Sequence, residues 1–464
     1  MSSGVYAHFI GIGGAGMSGI ASVLNERGIG VTGSDLKESR YTTALREQGI
    51  DVSIGHSADN LGTPEVVVVS SAIPETNPEL AEARRAGLEV WPRARMLAHL
   101  AEDRVTVAIA GTHGKTTTSS MIAAMLFAMG EAPTFLIGGE VASFDTNARC
   151  GEGRHYVVEA DESDGSFMFL DPLVAVVTNV EADHLDHYGT LEEVERTFVA
   201  FMSKVPADGT VVACADDARL MELVSGIHAR VLTYGWSEMA DLRFHSLESR
   251  GLGHRFAVAM PDGSSVSAEV ALPGKHMVSN ATAAIAVAYA LGLDALSAGK
   301  GLSGFSGVRR RFDQVGVVDG ITFVDDYAHH PTEVRATLRA AKESGFGRIW
   351  AIFQPHRYSR TAALGWDFGA AFEDADRIVL MDVYSAGETP VPGVSGKTLV
   401  ETILAQSPRA RVAYLPHRAD IEPYVRAYAR PGDLIMTMGA GDVTTVGPEL
   451  VRAMEPGEKG QKCR

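Results

Sequence analysis

Val105-Thr106-Val107-Ala108-Ile109-Ala110-Gly111-Thr112-His113-Gly114-Lys115-Thr116-Thr117 is the stretch on which the reading of this chain turns. Its first six residues are uncharged and rich in β-branched side chains, so they read as a buried strand. A glycine turn follows, and residues 117–129 carry a helix pattern. A strand that passes through Gly-Lys-Thr into a helix offers unpaired backbone N–H groups and a cation to an anion, as a phosphate-binding loop does. Lys115 is placed to lie against the β/γ-phosphates of a nucleotide, and the Thr116 hydroxyl to ligate Mg²⁺. The spacing G-x-x-G-K-T is shorter than the G-x-x-x-x-G-K-[ST] of Walker ATPases, so an ordinary GTPase or ATPase is not implied.

Upstream lies a second glycine loop, Gly11-Ile12-Gly13-Gly14-Ala15-Gly16, after a strand-like run at 6–10 and before a helix at 17–26. It fits G-x-G-x-x-G, which suits a nucleotide diphosphate. Asp35 ends the next strand-like stretch and is placed to reach a ribose. Val66-Val67-Val68-Val69 is a further strand, and residues 79–86 are polar enough for a surface helix.

Downstream, a strand from Tyr156 ends at Glu159 and opens an acidic run, Glu159-Ala160-Asp161-Glu162-Ser163-Asp164. At the carboxyl end of a parallel strand, Glu159 or Asp161 would project toward a ligand as a metal ligand does, while Glu162 and Asp164 read as solvated or turn-capping. The strand-like run at 173–178 leads into Asn179-Val180-Glu181-Ala182-Asp183-His184-Leu185-Asp186-His187. Two histidines and three acids directly after a strand point to His184 as a metal ligand; with no cysteine nearby, a structural zinc is not suggested.

Length and composition frame these motifs. At roughly 100–200 residues per domain, 464 residues predict two to four domains. A formal net charge of −17 argues against sequence-independent nucleic-acid binding and against docking on anionic membranes. Cys150, Cys214 and Cys463 show neither C-x-x-C spacing nor an even count, which disfavours a disulfide framework or a zinc cluster. The N-terminal residues lack a basic segment followed by a long apolar run, and no stretch approaches 18 apolar residues, so a cytoplasmic protein without membrane insertion is expected.

Residues 210–272 look different, with short alternating runs at 230–234, 255–259 and 266–270 between Gly, Asp and Ser, and read as a small antiparallel insertion. Lys275-His276 then open a helix of small residues in which Asn280 suits either adenine's N6/N7 edge or a helix-start cap. Arg309-Arg310-Arg311 mark a boundary, and Arg310 and Arg311 could meet a phosphate at a domain junction or form a solvated basic face. Strand–helix alternation then restarts. Asp325-Asp326-Tyr327-Ala328-His329-His330 and Phe353-Gln354-Pro355-His356-Arg357-Tyr358-Ser359-Arg360 each follow a strand, and paired Arg357 and Arg360 suit a carboxylate. The fold class is therefore α/β in three parts. Residues 1–102 form a Rossmann-like domain, 103–312 a central P-loop ATPase domain with a parallel sheet and the antiparallel insertion, and 313–464 a second Rossmann-like domain. The Gly/Lys/Glu-rich tail from 455 reads as frayed.

Assembled in order, GIGGAGMSGIA, SSAIPETNPE, AGTHGKTTT, EADESDGSF, TNVEADHLDHY, SNATAA, RRRF, DDYAHHPTE, FQPHRYSRT and MGAGD resemble the Mur ligases of bacterial cell-wall synthesis over nearly the whole chain. DDYAHHPTE and FQPHRYSRT resemble the branch that joins L-alanine to UDP-N-acetylmuramate with ATP. The alternative is a branch adding D-glutamate or a tripeptide. The resemblance implies that Gly13, Gly14, Ala15, Gly16, Met17, Ser70 and Ser71 bind the UDP substrate. It implies that Gly111, Thr112, His113, Gly114, Lys115, Thr116 and Thr117 hold ATP. Thr116 and Glu159 would hold one Mg²⁺ and His184 a second. Asn280 would read adenine, Arg311 and Asp325 would approach the nucleotide, and Tyr327, His329, Arg357 and Arg360 would lie near the incoming alanine and the muramoyl carboxylate. Lys115, Glu159, His184, Arg311 and Asp325 are thereby the expected catalytic set. An NAD-dependent oxidoreductase would explain only the first glycine loop, and a non-catalytic UDP-sugar sensor would not need the second.

Overall fold

The computed structural model describes residues 6–455; the remainder of the C-terminal tail, with Cys463, lies outside the described residues. The chain packs into two compact units. One holds the chain up to Glu248 with Arg255–Val270 and Val278–Ser306; the other holds Ser249–His254, Ala271–Met277 and the chain from Gly307 onward. Among the described residues no helix is long and apolar enough to cross a membrane.

The first unit begins with a five-stranded sheet in the spatial order Asp51–Ile54, Val31–Asp35, Ala7–Ile10, Val66–Val69, Glu89–Pro92. Every pairing is parallel. The chain winds outward in both directions from Ala7–Ile10, so the strand order reverses beside its carboxyl end, where ligands of open α/β sheets bind. Gly11 begins the first glycine loop at that point.

The second sheet has ten strands, and its centre is parallel: Arg230–Gly235, Thr210–Cys214, Val174–Val177, Val105–Ala110, His155–Glu159 and Thr134–Val141 lie side by side. Val107 to Ala110 and Val174 to Val177 are buried, as expected of strands covered on both faces. The assignment of residues 230–234 to an antiparallel insertion is corrected here. Arg230–Gly235 runs parallel to Thr210–Cys214 because the helix Ala218–Val224 carries the chain back across the sheet, as a β-α-β crossover requires. Leu242–Arg250, Gly253–Ala259 and Ser265–Val270 extend the same sheet rather than standing apart. The sequence reading also missed Thr134–Val141 with its antiparallel partner Thr146–Arg149 at the opposite edge.

The second unit carries a six-stranded sheet in the order Asp313–Val318, Ile321–Asp326, Asp433–Met438, Arg348–Phe353, Arg377–Leu380, Val412–Tyr414. All pairs are parallel except the first. Period-two alternation divides its core. Ile349, Ala351 and Phe353 pack on one face with Leu338, Phe368 and Leu399, while Trp350 and Ile352 pack on the other with Ile421, Val425 and Leu450.

One polar network lies inside the first sheet's domain. Glu79, in the helix Pro78–Arg85, is fully buried. It accepts hydrogen bonds from the Ser57 N–H at 3.1 Å and Asn60 Nδ2 at 2.7 Å, and from the Ser34 hydroxyl. His8 Nε2 lies 3.2 Å away. Burial disfavours its charge, but His8, Ser34, Asn60 and Ser57 outweigh burial and hold the Glu79 carboxyl down at about 2 against an ordinary 4.5. A depressed carboxylate stabilises the fold above its unfolded value, and that contribution, worth about 3 kcal/mol here, is lost as pH falls through the folded value. Glu79→Gln is expected to lower the urea midpoint at pH 7. The gap to wild type should narrow as pH is lowered below about 4.5; a gap independent of pH would contradict the ionised network.

Candidate active site

At the first glycine loop, the helix Ala15–Glu26 starts from Gly14 with no side-chain cap and no acidic residue in its first turn. The loop's end of the helix thus faces outward with donors unfilled. Ser70 lies at the end of the neighbouring strand, its Cβ 3.3 Å from where a Cβ on Gly11 would be. Asp35 ends the strand Val31–Asp35 beside this loop. Its Oδ2 accepts the Gly13 N–H at 2.9 Å and its Oδ1 the Lys37 N–H at 3.3 Å, so it braces the loop from behind. Arg93 reaches the loop from the neighbouring helix, its Nη1 2.6 Å from where a Cβ on Gly16 would be.

The second loop is tightly determined. Gly114, at φ 83°, starts the helix Lys115–Ala128. Gly111, at φ 127°, lies so close to the next strand's end that a Cβ would meet Thr178 Oγ1 at 2.1 Å. Asn179 Oδ1 accepts the His113 N–H at 2.9 Å, and Thr112 Oγ1 accepts the Glu181 N–H at 2.8 Å. Asn280 is not a helix-start cap: it lies inside the helix Lys275–Ala290, buried, with Oδ1 3.2 Å from the Cβ position of Gly114.

Lys115 folds over its own loop. Nζ donates to the Gly111 carbonyl at 2.6 Å, the Thr112 carbonyl at 3.3 Å and Glu162 Oε1 at 2.6 Å. Glu162 is therefore neither solvated nor a turn cap. It is 2% exposed and is the lysine's counterion, with its other oxygen, Oε2, buried without a hydrogen-bond partner. Burial works against charge on Lys115, but Glu162, Glu159 and Asp161 outweigh it and hold the ammonium above its ordinary range. Thr116 Oγ1 donates to Glu159 Oε1 at 3.0 Å, and Gly138 N–H to Glu159 Oε2 at 2.7 Å. Thr116 and Glu159 thus present two hard oxygen donors side by side, a set that fits Mg²⁺. Asp164 does cap its turn, through the Ser166 N–H at 2.9 Å. His184 stands on the loop after Val174–Val177, at φ 55°, with Nε2 3.6 Å from Asp183 Oδ2.

Arg311, Asp325, Tyr327, His329, Arg357 and Arg360 all belong to the second unit. Arg310 and Arg311 stack on the Tyr327 ring at 4.7 and 4.9 Å, and Arg311 Nη1 lies 3.7 Å from Glu333. Tyr327 meets the His329 ring edge-on at 5.2 Å, His329 lies 5.9 Å from the His356 ring, and His356 Nδ1 is 3.5 Å from Arg360 Nη1. Arg357, at φ 69°, opens the helix Tyr358–Leu364. Burial holds His329 down at about 4, and burial with Arg360 and Arg357 does the same for His356, so both are neutral imidazoles near pH 7. The His329 Nδ1–H donates to the Tyr327 carbonyl at 3.0 Å, which leaves Nε2 as the acceptor. Asp325 is buried and accepts the hydroxyls of Thr437 and Thr444, with Arg310 Nε 3.5 Å away. It positions Arg310 and does not face outward as a free base. His330 caps the helix Pro331–Glu343.

Two nucleotide-type loops in one chain, one with a lysine–carboxylate pair beside a Thr–Glu oxygen pair, followed by an arginine- and histidine-rich α/β unit, define a three-part ligase architecture. Comparison agrees. The family models "Mur ligase family, catalytic domain", "Mur ligase middle domain" and "Mur ligase, glutamate ligase domain" match residues 6–105, 109–288 and 310–441, and the chain belongs to the Mur ligase family. It is 47% identical over 455 residues to the UDP-N-acetylmuramate–L-alanine ligase of Pelotomaculum thermopropionicum, covering 98% of each chain. It is 48% identical over 444 residues to that of Rhizobium meliloti, covering 94% of each. The crystal structure of the UDP-N-acetylmuramate-alanine ligase of Thermotoga maritima superposes with a TM-score of 0.81 at 29% identity, over 97% of this chain and 98% of that one.

The loop geometry makes a direct prediction. Gly111→Ala is expected to destabilise the chain by about 2 kcal/mol or more, from backbone strain and the clash with Thr178. Gly28→Ala, at φ 77° with nothing within 4 Å of its Cβ position, should cost about 1 kcal/mol. Thermal unfolding of the two variants side by side checks the order, and equal losses would contradict the contact.

Proposed function

We propose that this chain joins L-alanine to the lactyl carboxylate of UDP-N-acetylmuramate with ATP, giving UDP-N-acetylmuramoyl-L-alanine, ADP and phosphate in cytoplasmic peptidoglycan precursor synthesis. The observation that carries the chemistry is the Lys115–Glu162 pair at 2.6 Å beside Thr116 and Glu159: a phosphate-seeking cation stored on a buried carboxylate. We assign residues 1–102 to the sugar nucleotide, 103–312 to ATP and 313–464 to the amino acid.

A carboxylate does not accept an amine near neutral pH, because the leaving group would be oxide. Transfer of the γ-phosphoryl group to the lactyl carboxylate gives an acyl phosphate, from which phosphate can leave once the amine has attacked. Both partners in the first step are anions, so the protein must offset their repulsion. Lys115 exchanges Glu162 for the transferring phosphate. Thr116 and Glu159 would hold Mg²⁺, and His184 a second ion; bound there, the metal would lower the charge repulsion between the reacting oxygens. Asn280, buried beside Gly114, would read adenine, and Arg311 and Asp325 would complete the nucleotide site, Asp325 by holding Arg310. Tyr327, Arg357 and Arg360 would bind the alanine and muramoyl carboxylates. His329, neutral and with Nε2 as an acceptor, is the group we assign to the amine proton.

Phosphate release from ATP and Mg²⁺ should require both UDP-N-acetylmuramate and L-alanine, with the alanyl product seen by mass. Release with D-glutamate or a tripeptide in place of L-alanine would overturn the substrate assignment. Lys115→Ala should lose ligation by about a thousandfold with the fold kept. Glu162→Gln, which keeps an acceptor at Lys115 without its charge, should bind ATP about tenfold more tightly, the scale of one charge-assisted hydrogen bond. Unchanged affinity in that variant would contradict the exchange.

A further inference from the structure

The hairpin of Thr134–Val141 and Thr146–Arg149 belongs to the central sheet, yet it is fastened to helices of the first sheet's domain. The Cys150 N–H donates to Glu26 Oε2 at 2.6 Å, and Arg40 pairs with Glu140 at 2.9 Å. Gly19 lets the helix Ala15–Glu26 close on the strand Thr146–Arg149, since a Cβ there would lie 2.9 Å from the Cβ of Ala148. Next to Ala148 in that strand stands Asn147, half-buried.

Asn147 Nδ2 donates in two directions. It reaches the Ala15 carbonyl at 3.2 Å, which also accepts the Ser18 hydroxyl at 3.1 Å, and the Ile137 carbonyl at 3.3 Å. Each carbonyl is one end of a peptide group whose other end points into the chemistry. The N–H joined to the Ala15 carbonyl is that of Gly16, in the first helical turn, where backbone donors have no partner within the helix. The N–H joined to the Ile137 carbonyl is that of Gly138, which donates to Glu159 Oε2 at 2.7 Å. Glu159 Oε1 takes the Thr116 hydroxyl at 3.0 Å. Gly138 leaves room for that carboxylate, as a Cβ would lie 2.8 Å from Glu159 Oε1. Strand register explains why side chains hold this peptide. Pairing with His155–Glu159 runs only as far as Leu136 opposite Val158, and pairing with Thr146–Arg149 shifts after Leu136.

We propose that Asn147 is a positioning residue that couples the two nucleotide sites, so that the sugar nucleotide and Mg·ATP each bind more tightly when the other is present. The inference rests on the readings of the two glycine loops given above. One side-chain amide stands between two peptide groups, and neither peptide can shift without straining a bond that holds the other. A ligand that fixes the peptide of Ala15 and Gly16 thereby fixes the seat of Glu159. The second ligand then meets a site already ordered, and linkage makes the effect reciprocal.

Titration calorimetry of the full chain tests it, with UDP-N-acetylmuramate and the Mg²⁺ complex of β,γ-imido-ATP, each alone and with the other at saturation. In wild type each ligand should tighten the other by about tenfold, by the same factor in either order. Asn147→Ala should cut that factor to less than about twofold, while each ligand alone binds within about threefold of wild type. Asn147→Asp, which keeps the size and removes both donors, should behave like Asn147→Ala. Glu26→Ala, which removes a different pin of the same hairpin, should keep the coupling. Two wild-type sites that bind independently would overturn the proposal and leave both loop readings standing. Equal loss of coupling in Glu26→Ala and Asn147→Ala would overturn it as well, since packing of the hairpin and not the amide would then carry the effect. A wild-type chain that does not bind UDP-N-acetylmuramate would remove the reading of the first loop and the coupling with it.

Discussion

Parallel pairing of the strand Val105–Ala110 with its two neighbours is the constraint on which the site depends. Ala110 is opposite Val177 and Ile109 is opposite Glu159, so three chain segments leave the sheet at one level and on one side. The glycine loop, the acidic segment after Glu159 and the Thr178–Asn179 turn are separated by dozens of residues in sequence, yet the register leaves them no other place to meet. A shift of one residue in the pairing with His155–Glu159 would turn Glu159 to the opposite face of the sheet and remove the oxygen beside Thr116. The hydrogen bonds that lock the loops, Thr178 Oγ1 to the His113 carbonyl and Asn179 Nδ2 to the same carbonyl, act within a frame the strands have already set.

Charge inside that frame follows a simple rule: a buried cation needs an anion at every stage. Lys115 has little access to water, and leaving it unpaired would cost several kcal/mol. The carboxylate of Glu162, 2.6 Å from Nζ, is that anion in this structure. Any other anion drawn to that ammonium has Glu162 to displace, while the pair keeps the lysine charged and in place. The overall charge of −17 makes this arrangement more consequential, since phosphates approaching an acidic protein depend on a few local cations that have been kept in position.

Much of the framework was legible in the sequence because its signals are local. Continuous apolar runs such as Val174–Val177 mark covered parallel strands, and the Gly-Lys-Thr turn fixes what stands at the end of one of them. What was not legible depended on contacts across the chain. Glu162 is one acid among four in Glu159–Asp164, and only the turn set by Ser163 N–H on Asp161 Oδ1 and by Gly165 at φ 71° selects which one points inward. Glu89–Pro92 escaped because it is a short edge strand of mixed character that carries no strand pattern. Residues 230–234 were misread because alternation and punctuation do not report whether a strand returns through a hairpin or over a helix. Asn280 was ambiguous for a similar reason: the helix starts at Lys275, and only its length places the amide inside it.

Arg93 and Lys115 together suggest why the acidic run is as dense as it is. A single metal-binding carboxylate would need only Glu159. Adding Asp161 and Glu162 raises the local negative potential, which would oppose phosphate binding if nothing neutralised it. Asp161 and Glu162 instead each face a cation, Arg93 and Lys115, so two of the segment's four acids are paired. The Thr116–Glu159 oxygen pair is thereby flanked by paired charge, with Glu162 on Lys115 and Asp161 on Arg93.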